Sequence, residues 1–125
     1  MTPRPEFSAT SITINCTDQR RAERFYCDVL GATSIPGDGY GCSWFRLGAL
    51  TISLMPNAVE SIRNPGIDRP GPKLWLEVED LTRAHDYLKE KGVTILEPPA
   101  EGGHMLVADP DGSALEIWER DSQTN

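Results

Sequence analysis

The sequence predicts an α+β fold made of two βαβββ modules whose curved mixed sheets enclose one cleft, and three observations predict it. A strand–aspartate–helix–glycine pattern occurs twice, sixty-two residues apart. Each copy is followed by a loop and two further strand-like segments, and a stretch rich in proline and glycine separates the copies. The expected layout within one domain is module one at about 8–56, a linker at about 57–72 and module two at about 73–120.

In module one, Ile12, Ile14 and Cys16 alternate with Thr13, Asn15 and Thr17, the period of a strand with one face buried. Asp18 then offers a side-chain N-cap, and the apolar period changes to that of a helix through Ala22, Phe25, Tyr26, Val29 and Leu30, stopping at Gly31. Cys42 to Leu47 and Leu50 to Met55 are the remaining strands of this half. Module two repeats the pattern: Leu74, Leu76 and Val78 alternate with Trp75, Glu77 and Glu79, and Asp80 caps a helix with Leu81, Ala84, Tyr87 and Leu88 on one stripe before Gly92. The two helices align without a gap from the aspartate through Phe25/Tyr87, but the segments after Gly31 and Gly92 align only once one residue is skipped. His104 to Ala108 and Ala114 to Glu119 close the second half, joined by the turn Asp109-Pro110-Asp111-Gly112.

The net charge of −7 argues against nucleic acid, whose phosphates are bound by clustered Lys and Arg. It suits neutral or cationic small molecules, and it serves solubility equally well. Three cysteines with no C-x-x-C pair indicate neither a disulfide framework nor a zinc knuckle, and fit reduced thiols in a cytoplasm. No apolar run has the length needed to span a bilayer, so no membrane association is expected.

Strand parity sorts the two sheet faces. If Ile12, Ile14, Leu74, Leu76, Leu115 and Ile117 meet the helices, then Thr13, Asn15, Ser53, Met55, Lys73, Trp75, Glu116 and Trp118 face the cleft, with Ser11 just before them. Parity does not fix the face of Trp44. The tryptophans offer flat surfaces for an aromatic ligand or a cation, although packing against a partner unit accounts for them as well. Lys73 and Glu116 are candidates for an ion pair in the cleft; the competing reading leaves Lys73 in solvent and Glu116 bonded to nearby hydroxyls. His85 is expected on the surface. His104 starts the penultimate strand, either as a rim residue or as a general base.

The segment Ile12 to Gly31, its echo Leu74 to Gly92 and the ending Asp109-Pro110-Asp111-Gly112-Ser113-Ala114-Leu115-Glu116-Ile117 resemble the vicinal oxygen chelate superfamily of glyoxalases, bleomycin-resistance proteins and dioxygenases. In its metal-using members four strands each present a ligand to one divalent ion, and the resemblance puts those positions at Ser11, Ser53, Lys73 and Glu116. Only Glu116 matches a family ligand; neutral hydroxyls are weak ligands and an ammonium must lose its proton first. No metal and no other cofactor is expected.

The resemblance therefore implies a metal-free binding protein of the drug-sequestering, antibiotic-resistance kind. Its ligand is expected to be an aromatic small molecule or natural product, held by polar groups from Ser11, Thr13, Ser53, Lys73 and Glu116 and by Met55, Trp44, Trp75 and Trp118. It also implies a homodimer. Two alternatives stay open: an enzyme, chiefly a metal-independent isomerase, lyase or cyclase with Lys73, Glu116 or His104 as acid and base, and a non-catalytic interaction module.

Overall fold

The computed structural model describes residues 2–37, 39, 41–66 and 68–120. Strand β1 (Ile12–Asn15) leads into helix α1 (Gln19–Glu23), and β2 (Thr33–Ile35), β3 (Ser43–Leu47) and β4 (Leu50–Met55) complete the first unit. The second unit is β5 (Leu74–Val78), helix α2 (Leu81–Glu90), β6 (Thr94–Glu97), β7 (His104–Ala108) and β8 (Ala114–Glu119). Each unit forms a four-stranded mixed sheet, in the orders β1-β4-β3-β2 and β5-β8-β7-β6. This is the expected α+β architecture of two βαβββ modules.

Both helices begin in the same way. The Asp18 carboxylate accepts from the Arg21 amide and the Asp80 carboxylate from the Arg83 amide, satisfying a donor that the first turn leaves without a partner. They continue differently, because α1 passes into a π-helical segment, Arg24–Val29, where α2 stays α-helical. The stretch from Asp18 to Gly31 is one residue longer than its counterpart from Asp80 to Gly92, and a π-helix absorbs such a surplus with its wider turn. The residue that must be skipped to align the halves is thus accommodated in the helix rather than in a loop.

The helix-facing sides of both sheets share one continuous core. Phe45, Ile52 and Leu54 from the first sheet and Met105, Leu115 and Ile117 from the second are all 2% exposed or less. Tyr26 lies in the same core, stacked on Phe45 with ring centroids 5.5 Å apart.

A polar clasp joins the units at the β7–β8 turn, and away from it the Tyr87 hydroxyl donates to the Val29 carbonyl at 2.8 Å. Asp109 accepts from the Tyr26 hydroxyl at 2.8 Å and from the amides of Asp111 and Ser113. Asp111 accepts from the Thr17 amide and hydroxyl, the Ser61 hydroxyl and Arg21. Burial raises the Asp109 carboxyl above its ordinary value despite these donors, and it raises the Tyr26 hydroxyl further still. At Asp111 burial also disfavours the charge, but the donors from Ser61 and Thr17 and the Arg21 guanidinium outweigh it and hold the carboxyl below its ordinary value.

Strands β1 and β5 are the edges of their sheets. The Arg120 amide donates to the Val78 carbonyl, so the backbone groups of Leu74, Leu76 and Val78 face β8 and those of Trp75 and Glu77 face outward. The same reasoning from the Cys16 amide on the Met55 carbonyl turns Thr13 and Asn15 outward from β1.

Candidate functional site

The residues with cleft parity fall on one face of each sheet, as alternation requires. In the first sheet Ser53 lies between Thr13 on β1 and Trp44 on β3, which gives Trp44 the face that parity alone leaves open. The Thr13 and Ser53 hydroxyls are 2.8 Å apart, and Ser53 is 2% exposed. Met55 is half-buried at the end of β4, and Ser11 is exposed ahead of β1.

In the second sheet the aromatic side chains form a ladder. Trp75 on β5 stacks on Trp118 of β8 with centroids 4.6 Å apart and planes 5° from parallel, and Trp118 stacks on His104 of β7 at 4.4 Å and 21°. Register explains the order: His104 stands directly across from Trp118, and Trp75 reaches it diagonally from beside Glu116. The rings therefore run across the strands, one per strand, at about the strand spacing. Leu106, paired with Glu116 on the same face, is 1% exposed and forms an apolar floor apart from the main core.

The ladder ends differently on its two sides. Trp75 is 60% exposed, the most exposed of the cleft-parity aromatics. Trp118 Nε1 and His104 Nδ1 are buried without a hydrogen-bond partner among the described residues, as is Trp44 Nε1. An indole N–H out of contact with water is stabilised by any acceptor brought to it.

Lys73 and Glu116 do not form an ion pair among the described residues. The Lys73 ammonium donates to the Arg69 carbonyl at 3.1 Å, and with Thr13 and Asp111 it lines a hollow of about 300 Å³ between β1 and the β7–β8 turn. Glu116 sits between Trp75 and Leu106 instead. His85 meets Asp86 at 3.1 Å on α2.

The donors at the four positions where metal-using members place ligands do not fit a divalent ion. Ser53 is bonded to Thr13, Lys73 to a backbone carbonyl, and Glu116 contributes the single carboxylate. Among the described residues no three His, Cys, Asp or Glu side chains gather where they would hold a metal.

The sequence profile of the Glyoxalase/Bleomycin resistance protein/Dioxygenase superfamily matches residues 9–117. The chain belongs to that superfamily. No curated protein is similar enough in sequence to match. Among solved structures, a fosfomycin resistance protein from Mesorhizobium loti is 15% identical, with a TM-score of 0.71 over 94% of each chain. An integron cassette protein from the mobile metagenome of V. cholerae is 23% identical, with a TM-score of 0.69 over 94% of this chain and 99% of that one. A glyoxalase/bleomycin resistance protein/dioxygenase from Alicyclobacillus acidocaldarius is 14% identical, with a TM-score of 0.68 over 90% of each chain. At these identities the likeness is one of fold.

Pairing by parity was enough to put Trp75 and Trp118 on one face, but not to stack them. The participation of His104 and the inter-module role of Asp109 and Asp111 were not legible, since the sequence marks the latter pair only as turn residues. The surplus residue in the first helix was the one local signal of its π-helical segment.

Proposed function

We propose that this superfamily member is a metal-free binding protein for a planar aromatic small molecule, which it holds on the Trp75–Trp118–His104 ladder. The observation that carries this reading is Trp75: one ring face is stacked on Trp118 while the side chain stays 60% exposed, so the other face is free for a further ring. Glu77 and Glu116 neighbour the ladder on the same face and favour a neutral or cationic ligand over an anionic one. A filled and closed face would instead have favoured an interaction module.

The resemblance to drug-sequestering proteins supports a role in resistance, and the similar protein from Mesorhizobium loti is itself a fosfomycin resistance protein. The same reading includes a homodimer and a reducing, cytoplasmic setting. Cys16, Cys27 and Cys42 are free, and no helix among the described residues is long and apolar enough to cross a membrane.

Calorimetric titration with planar quinoline and naphthalene compounds tests the proposal. Saturable binding is expected, weakened about tenfold by Trp75→Ala, as loss of a stacking partner predicts. Binding that survives unchanged in Trp75→Ala, or a divalent ion near one per chain in the purified protein, would overturn it.

A further inference from the structure

A second hollow, of about 580 Å³, lies between β5, α2 and the β3–β4 turn, on the far side of the module junction from the clasp. Its walls are mostly apolar, including Leu30, Leu76, Val78, Leu88 and Ile117, with Glu77 and Arg120 as the charged residues among its lining. Three of the large apolar side chains that are exposed in this protein, Leu50, Trp75 and Tyr87, stand around it. That volume is within the range of small-molecule sites, about 300–1,000 Å³.

Trp75 belongs to both this hollow and the aromatic ladder. The ladder advances one strand per ring from His104 on β7 to Trp118 on β8 to Trp75 on β5, and β5 is the last strand of its sheet. A ring stacked on the outer face of Trp75 takes the next step beyond the sheet edge. Because Trp75 also lines the hollow, that position borders it across the edge of β5, where the backbone groups of Trp75 and Glu77 face outward.

We infer that the ligand is bipartite: a planar ring, neutral or cationic, continues the ladder on Trp75, and an apolar substituent attached to it enters the hollow between β5 and α2. This rests on the reading of the ladder as a ligand platform and adds the class of molecule the platform takes. The substituent covers the exposed parts of Leu50 and Tyr87, which a single chain leaves uncovered.

N-alkylquinolinium ions with methyl, butyl and hexyl chains provide the test, titrated into the intact protein by calorimetry, with hexyltrimethylammonium as the ringless control. Affinity is expected to rise from methyl to hexyl by at least about tenfold, against an upper limit of about fourfold per fully buried methylene. Ala84→Phe, which fills the hollow from α2, is expected to remove the chain-length dependence while N-methylquinolinium still binds. Ala49→Trp, in the exposed β3–β4 turn where folding is not at stake, is expected to do the same at the mouth. Equal affinity for methyl and hexyl ions would overturn the bipartite site and leave the platform standing. Hexyltrimethylammonium binding as tightly as N-hexylquinolinium would also overturn it, and failure of every quinolinium to bind would overturn the platform and the inference together.

Discussion

The two flanks of the module junction are built from corresponding parts and are finished in opposite ways. Tyr26 and Leu88 occupy equivalent helix positions, and the β7–β8 turn corresponds to the β3–β4 turn. On the first flank Tyr26, Thr17 and Arg21 hold Asp109 and Asp111, and Ile62 of the linker lies against Gly112, its amide donating to the Asp111 carbonyl. On the second flank the Tyr87 hydroxyl donates to the Val29 carbonyl, but Leu88 has no hydroxyl to offer, Gly48 and Ala49 carry no carboxylate, and the hollow is larger and mostly apolar. Duplication supplied two similar gaps; one became a structural joint and the other was left available for a guest.

The largest expected effect falls on the joint. Asp111→Ala strips four donor groups of their shared acceptor and should lower unfolding free energy by about 3 kcal/mol, read from urea denaturation. A loss below about 1 kcal/mol would mean that the clasp is decorative. Next comes the matched pair of turn glycines. Both have positive φ, +91° at Gly112 and +59° at Gly48, but a Cβ on Gly112 would lie 3.0 Å from the Ile62 Cβ and 3.1 Å from its carbonyl, whereas a Cβ on Gly48 meets nothing within 4 Å. Gly48→Ala should cost about 1 kcal/mol from backbone strain alone, and Gly112→Ala about 1–2 kcal/mol more because the linker must move. Equal losses would erase the distinction between the flanks.

The smallest effect is in pH dependence, and its sign separates the two aspartates. The folded Asp111 carboxyl lies below the ordinary carboxyl value of 3.8, so its contribution is present above that value and is lost as pH falls through the folded one. Asp109 lies above 3.8, so its contribution is greatest at lower pH and fades as pH rises toward its folded value. Asp111→Asn should therefore flatten the acid limb of the stability curve below about pH 4, measured by urea unfolding at each pH.

Local signals carried the reading of the sequence far, and distance in sequence set its limit. The aspartate caps, the glycine stops and the alternating strands are rules about neighbouring residues, and they located both modules and the common face of Trp75 and Trp118. The face of Trp44 depends on the register of β3 against β4, which pairs it with Ser53, and no period within β3 supplies that. The Thr17–Asp111 bond links positions 94 residues apart, so nothing near either residue announces it. Asp109-Pro110-Asp111-Gly112 reads as a turn because it is one; its second role exists only once the modules meet. The stacking of His104 depends likewise on the β7–β8 register, which sets it opposite Trp118.

The clasp also has a bearing on time. Bonds spanning 94 residues are expected to close after each sheet has assembled from nearer partners, because the entropy of so long a loop must be overcome first. Interactions formed that late are absent from the folding barrier and are lost in crossing it in reverse. The carboxylates that join the modules therefore act chiefly on how long the native molecule survives once made, and little on how quickly it is made.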